Sequence, residues 1–144
     1  MKLLSLDPGG TTGYAILDYT DSDFKVEASG QIKGGLAGFL EQDSEMLELY
    51  SFDVIVCESF TLREGIYGAD LSPVYIIGAL EALYQDKRKV YQEPKLKPLC
   101  DDSRLKKMGL YKSGKPHEND AIRHAVIYLR NNKHMPTLLA GWKE

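Results

Sequence analysis

Cysteine is scarce in this chain: Cys57 and Cys100 are the two present, in unrelated contexts and without CxxC spacing. That pattern argues against a disulfide framework and sets the expectation of a reduced, cytoplasmic protein. No apolar run approaches the roughly 18 residues needed to span a bilayer, so no membrane partner is expected. The first residues reach an acid, Asp7, too soon for a signal peptide. Internal repeats, low-complexity tracts and linkers are missing as well. Basic residues are sparse over residues 1–86, with 4 Lys/Arg against 15 Asp/Glu, a balance of −11.

The cations that the first part lacks are gathered in the second. Residues 87–144 carry 14 Lys/Arg against 6 Asp/Glu, a balance of +8 inside a chain whose net charge is −3. Charge concentrated this way suits a polyanionic partner, although solvated helix faces also produce such runs. Hydrophobic residues at 43% and charged residues at 27% lie in the globular range. A length of 144 residues fits one domain, 1–144, with a single substantial core.

The chain is organised around Leu3-Leu4-Ser5-Leu6-Asp7-Pro8-Gly9-Gly10-Thr11-Thr12-Gly13-Tyr14. An apolar strand delivers one carboxylate, Asp7, to its end, where Pro8 cannot continue a sheet ladder. Gly9, Gly10 and Gly13 are expected to turn the chain sharply and leave the space beside Asp7 open. A hairpin turn of ordinary Asp-Pro-Gly type would read the same way locally.

Strands are expected over Tyr14–Tyr19 and Phe24–Ile32, forming an antiparallel meander with the first. Apolar positions Leu36, Phe39, Leu40, Met46, Leu47 and Tyr50 predict a helix from Leu36 to about Tyr50. A buried strand over Phe52–Cys57 ends at Glu58. Ser72-Pro73 reads as an N-cap with proline at the first position of a helix that runs to about Gln85. A strand over Lys89–Gln92, a short helix over Ser103–Met108 stopped by Gly109, and a helix from about His117 to Asn131 complete the pattern. Pro136 is expected to end regular structure, with the Trp142 tail docked on the body. The order βββαβαβαα predicts an α/β fold: three antiparallel strands, then parallel ones, with helices on both faces.

In such a sheet the first and fourth strands are parallel neighbours about 4.8 Å apart, so Asp7 and Glu58 emerge together. His117-Glu118-Asn119-Asp120 opens the last helix, with His117 and Asp120 on one helical face. Clustered carboxylates repel one another unless a cation neutralises them, and hard oxygen donors with an imidazole at the margin suit Mg²⁺ or Mn²⁺. Beside a basic second half, this points to phosphodiester hydrolysis with two metals.

At these residues the chain resembles the RuvC family of Holliday junction resolvases, within the RNase H-like superfamily. The motifs in order are Leu4-Ser5-Leu6-Asp7-Pro8-Gly9 with Thr12-Gly13-Tyr14, then Val54-Ile55-Val56-Cys57-Glu58, then His117-Glu118-Asn119-Asp120-Ala121. Gly109-Leu110-Tyr111 and Asn119-Asp120-Ala121-Ile122-Arg123-His124 are similar to the small phage-encoded resolvases, whose site of action would be the host cytoplasm. The resemblance implies two Mg²⁺ per active site, with Mn²⁺ able to substitute. Asp7 would bridge both ions, Glu58 hold one and Asp120 the other. Many members have an acid where His117 stands, so His117 is expected either to ligate a metal or to handle a proton. Glu118 points about 100° away from His117 and ranks below Asp120. The implied reaction is in-line attack of water on a DNA phosphorus, leaving 5′-phosphate and 3′-hydroxyl ends. A homodimer on branched DNA is implied too, since two strands must be cut symmetrically.

The helix from Pro73 to Gln85 is the candidate dimer contact, with a wholly buried core helix as the alternative. Phe60, Arg63 and Tyr67 in the preceding loop, and Lys106, Lys107, Lys112 and Lys115, are the candidate DNA contacts. His124 lies on the stripe of His117 and Asp120, where it either packs or supports the ligands from behind. His134 reads as surface and Cys57 as core. A zinc-protease HExxH fails because Ala121 replaces the second histidine. Three rival functions remain. One is a nuclease for flaps or RNA–DNA hybrids. Another is an actin-like or sugar-kinase-like nucleotide binder, suggested by Asp7, Gly9, Thr11 and Gly13 but short of a second lobe. The last is a noncatalytic DNA-binding module, which clustered acids would hinder.

Overall fold

The computed structural model describes residues 1–45, 47–62 and 68–143. Strands β1 (Lys2–Asp7), β2 (Thr11–Tyr19) and β3 (Phe24–Lys33) form the antiparallel meander. β4 (Val54–Glu58) runs parallel to β1, and β5 (Arg88–Gln92) parallel to β4. The described residues thus build a mixed sheet of order β3-β2-β1-β4-β5. Helices α1 (Gly35–Glu45) and α2 (Ser72–Leu83) cross between strands, and α3 (Asp102–Lys107), α4 (Pro116–Asn131) and α5 (Met135–Gly141) follow the sheet.

Strand alternation divides the core into two halves. Leu3 of β1 and Val54 and Val56 of β4 pack under α4 with Ala121, Ile122, Ala125 and Val126. Leu4, Leu6, Ile55 and Cys57 point the other way, onto Phe39 of α1 and Ile76 and Leu80 of α2. Helices therefore cover both faces. By the same alternation Ser5 faces α4, and its hydroxyl donates to the Ala121 carbonyl at 2.6 Å. Asp7 and Glu58 continue that parity to the strand ends.

Several local expectations are corrected. β2 begins at Thr11, and Gly13 is a strand residue opposite Asp7, not part of the turn. Gly9, Gly10 and Gly13 all keep ordinary negative φ, since the left-handed glycines are elsewhere, at 34, 35, 68, 109 and 114. Gly13 is needed for a different reason: a Cβ there would stand 1.8 Å from the His117 carbonyl oxygen. Ser72 is inside α2, not its cap. The N-cap is Leu71, which has no side-chain capping bond, and the Asp70 carboxylate before it accepts from the Ser72 N–H at 2.9 Å. Helix α1 stops at Glu45, with a separate 3₁₀ turn over Leu47–Leu49. Met46, Arg63 and Tyr67 lie outside the described residues.

Pro136 does not end regular structure. It sits in the first turn of α5, where a missing N–H costs nothing. His134, expected at the surface, ties that helix to the β2–β3 turn. Its Nε2–H donates to the Thr20 carbonyl at 2.6 Å, and its Nδ1 is hydrogen-bonded to the Thr137 hydroxyl at 2.8 Å. Trp142 docks as expected, with the Arg104 guanidinium 4.5 Å from its ring centroid.

Candidate active site

β1 and β4 are in register through Leu6 and Cys57, so the next residues, Asp7 and Glu58, stand side by side beyond the ladder. α4 supplies the third acid. Its N-terminus can press onto the sheet edge because Gly13, the register partner of Asp7, has no side chain to hold it off. One oxygen from each of Asp7, Glu58 and Asp120 comes within 4.8 Å of the other two. The structure thus brings together side chains far apart in the chain, as their motif positions predict.

Burial is the main force on Asp7, followed by repulsion from the acids it faces. Burial together with the charges of Glu58 and Asp120 pushes the Asp7 carboxyl up from 3.8 to about 8, with Lys97 opposing. Burial also acts to raise Glu58, but hydrogen bonds and charge from His124 and Lys97 outweigh it and hold that carboxyl below its ordinary value. Lys97 was not foreseen as part of the site. It projects from a 3₁₀ segment over Pro94–Cys100, with Nζ 3.4 Å from Glu58 Oε2 and 3.3 Å from Asp120 Oδ2. Burial works against its charge, but the Glu58 and Asp120 carboxylates raise its ammonium above 10.5.

His117 is half-exposed at the margin of the trio, its Nδ1 3.4 Å from Asp7 Oδ2. Its backbone N–H donates to Gln31 Oε1 at 3.0 Å, which fixes the start of α4 against β3. Glu118 turns away as expected and accepts from the Ser29 hydroxyl at 3.3 Å. Asn119 is structural. Its amide exchanges two 2.8 Å hydrogen bonds with the Lys112 backbone and clamps the basic loop to α4. Arg123, also unforeseen, is buried and joins Asp120 to Asp102 and, through Nε at 2.5 Å, to the Cys100 carbonyl. The i, i+3 spacing of Asp120 and Arg123 was a readable signal for that pair. Nothing in the sequence announces Lys97, because the segment carrying it has no periodicity.

Two clefts flank the acids. One, of about 410 Å³, runs from Tyr111 and Lys115 to Asp120 and Arg123. The other, of about 380 Å³, joins Glu58 to Phe60 and Lys95. Lys106, Lys107, Lys112 and Lys115 are all exposed. Lys115 lines the Asp120 cleft and Lys106 Nζ stands 4.6 Å from the centroid of the Tyr111 ring in its wall, whereas Lys107 lines a separate cleft with Arg104 and Trp142. Cys57 is buried, and burial raises its thiol far above its ordinary value, as suits a core residue.

No helix among the described residues is long and apolar enough to cross a membrane. The mixed sheet, with α4 on one face and α1 and α2 on the other, is the RuvC and RNase H-like fold. Among solved structures, Thermus thermophilus RuvC in complex with a Holliday junction substrate matches at a TM-score of 0.70 and 12% identity. That match covers 94% of this chain and 98% of the other. The Holliday junction resolvase of fowlpox virus matches at 0.62 and 17% identity, covering 91% and 99%. No family model and no curated protein sequence matches the chain.

Proposed function

We infer that this chain is a divalent-metal-dependent endonuclease of one domain that cuts branched DNA, with the four-way junction as its main substrate, and acts as a homodimer. The observation that carries the reading is the meeting of Asp7, Glu58 and Asp120 within 4.8 Å at the rim of this fold. Two of the structural neighbours lend it substrate: one was solved on a Holliday junction, and the other is named a Holliday junction resolvase.

The residues present fit a pair of hard cations. The trio offers only oxygen donors, and its packing leaves Asp7 protonated to about pH 8, a cost that a cation removes. Asp7 would bridge the two ions, Glu58 would hold one and Asp120 the other, with Mg²⁺ the expected metal and Mn²⁺ a substitute. Bound metal supplies the activation of water and the stabilisation of the leaving 3′ oxygen. The chain's own groups do the rest. His117, at the exposed margin beside Asp7, is placed to pass a proton to or from solvent. Lys97 adds a fixed positive charge where the phosphate's charge must be met. Lys106, Lys112 and Lys115 form a basic bank along one flank, Lys107 adds charge on the cleft beside Arg104 and Trp142, and Phe60 stands by the other flank, where it can stack on an unpaired base.

The dimer surface is on α2. Ile76 and Leu80 face the core, while the opposite stripe of Leu71, Val74, Tyr75, Gly78 and Ala82 is exposed. The helix is therefore not wholly buried, and its outer face is unusually apolar for a solvated one.

The test offers four-way junction, flap, duplex and RNA–DNA hybrid side by side with Mg²⁺, with ATP hydrolysis read in the same series. Symmetric junction cleavage leaving 5′-phosphates supports the reading. Preference for flap or hybrid would keep the chemistry and change the substrate. ATP turnover without cleavage would overturn both.

A further inference from the structure

Behind Glu58 lies a buried polar pair, His124 and Gln92. Gln92 ends β5 as the register partner of Glu58, so the two side chains lie next to each other on the α4 face. His124 of α4 inserts between them. Its Nε2 lies 2.8 Å from Glu58 Oε2 and its Nδ1 2.7 Å from Gln92 Oε1. His124 is 0% exposed and Gln92 5%, so neither can exchange its partner for water.

A carboxylate only accepts, so the imidazole presents an N–H to Oε2, and the Gln92 amide holds the ring's other nitrogen in place. Ser5 donates to the Ala121 carbonyl and so holds α4 against the sheet, while Gln92 fixes the turn of the ring itself. Oε2 also faces Lys97 at 3.4 Å. With that oxygen engaged by His124 and Lys97, a bound cation would be left to Glu58's other oxygen.

Resting on the metal-site reading above, we propose that His124 and Gln92 are positioning residues that hold Glu58 as a one-oxygen ligand and thereby set the site's preference among cations. Mg²⁺ and Mn²⁺ take six ligands in a tight octahedron, for which single oxygens suffice. Ca²⁺ is larger, takes six to eight ligands, and gains from a carboxylate that can offer both oxygens. Locking Oε2 therefore favours the smaller ions. Freeing it narrows the difference.

The experiment measures Mn²⁺ and Ca²⁺ binding to the full chain without DNA, by calorimetry and by the shift in melting temperature. The variants are His124→Leu, which keeps bulk but removes both hydrogen bonds, and His124→Gln, whose amide can still reach Glu58. Wild type should prefer Mn²⁺. In His124→Leu the Mn²⁺ affinity should fall about tenfold while the Ca²⁺ affinity holds or rises, and His124→Gln should recover most of the loss. Gln92→Leu, which leaves the imidazole but frees it to turn, should shift the ratio the same way by a smaller factor, and it serves alone if His124→Leu does not fold. Equal loss of both ions, an unchanged ratio, or no recovery in His124→Gln would overturn the proposal. Wild-type protein that binds neither ion would instead overturn the metal-nuclease reading beneath it.

Discussion

Asp7 shows how one side chain can bear on both stability and chemistry. In the metal-free protein its carboxyl is pushed from 3.8 to about 8, chiefly by burial and the facing acids. Between those values the folded state holds a proton that the unfolded chain has released. Stability therefore falls as pH rises through that window, and below it the effect vanishes. Glu58, shifted the other way, acts only below its ordinary 4.5 and leaves the window alone. The expected result is a melting temperature that drops from about pH 5 to about pH 8.5 and is restored by Mg²⁺ mainly at the upper end. A Mg²⁺ shift independent of pH would contradict it. Asp7→Asn should abolish cleavage while junction binding survives in a gel-shift assay. The metal-free variant should also melt several degrees higher than wild type near pH 8, since a buried charge is gone. Unaltered turnover by Asp7→Asn would remove the proposed site.

Among elements, the contact between α4 and β2 matters most, because it decides where Asp120 stands. The approach is so close that a methyl group on Gly13 would meet the His117 carbonyl. Gly13→Ala should destabilise by about 3 kcal/mol in urea unfolding, the upper range for forcing extra volume into a packed contact. Its residual folded fraction should bind divalent metal weakly, since α4 carries both His117 and Asp120. Helix α2 makes the second prediction at this scale. Gly78 is exposed, with open space where a Cβ would go, so a side chain there costs the monomer little. Gly78→Glu should leave the fold intact and convert the proposed dimer to a monomer in sedimentation. A dimer that persists would move the interface elsewhere.

For the whole molecule the governing feature is the division of charge. The acidic half contributes β1 and β4 and hence two of the three clustered acids. The basic half contributes α3, the loop before α4, and Lys97. A polyanion drawn to the lysines is therefore brought to the rim where the carboxylates sit. Replacing Lys106 and Lys107 with Ala should weaken junction binding and lower the slope of log K against log salt by about 2, one per lost phosphate contact. The Mg²⁺ effect on melting temperature should be unchanged in that variant, because neither lysine pairs with the acid trio. Equal salt slopes would place the DNA on another surface.

The sequence by itself determined the sheet, its two packed faces and the meeting of Asp7 with Glu58. These follow from local rules: apolar alternation sets which residues face α4, and a carboxylate at the end of each of two adjacent parallel strands must emerge beside the other. Spacing along one helix likewise put Asp120 near His117. What only the tertiary structure decided is the company these acids keep. Lys97 arrives on an irregular 3₁₀ segment, and Gln92 depends on the register of β5. Gly13 is required by the approach of a helix more than a hundred residues away. His124 was readable as lying on the right stripe, but whether it packs or holds Glu58 depends on which strand ends beneath it. Periodicity reports which way a side chain points along its own element. It carries no information on what waits at the other end, because that distance is set by packing between elements remote in the chain.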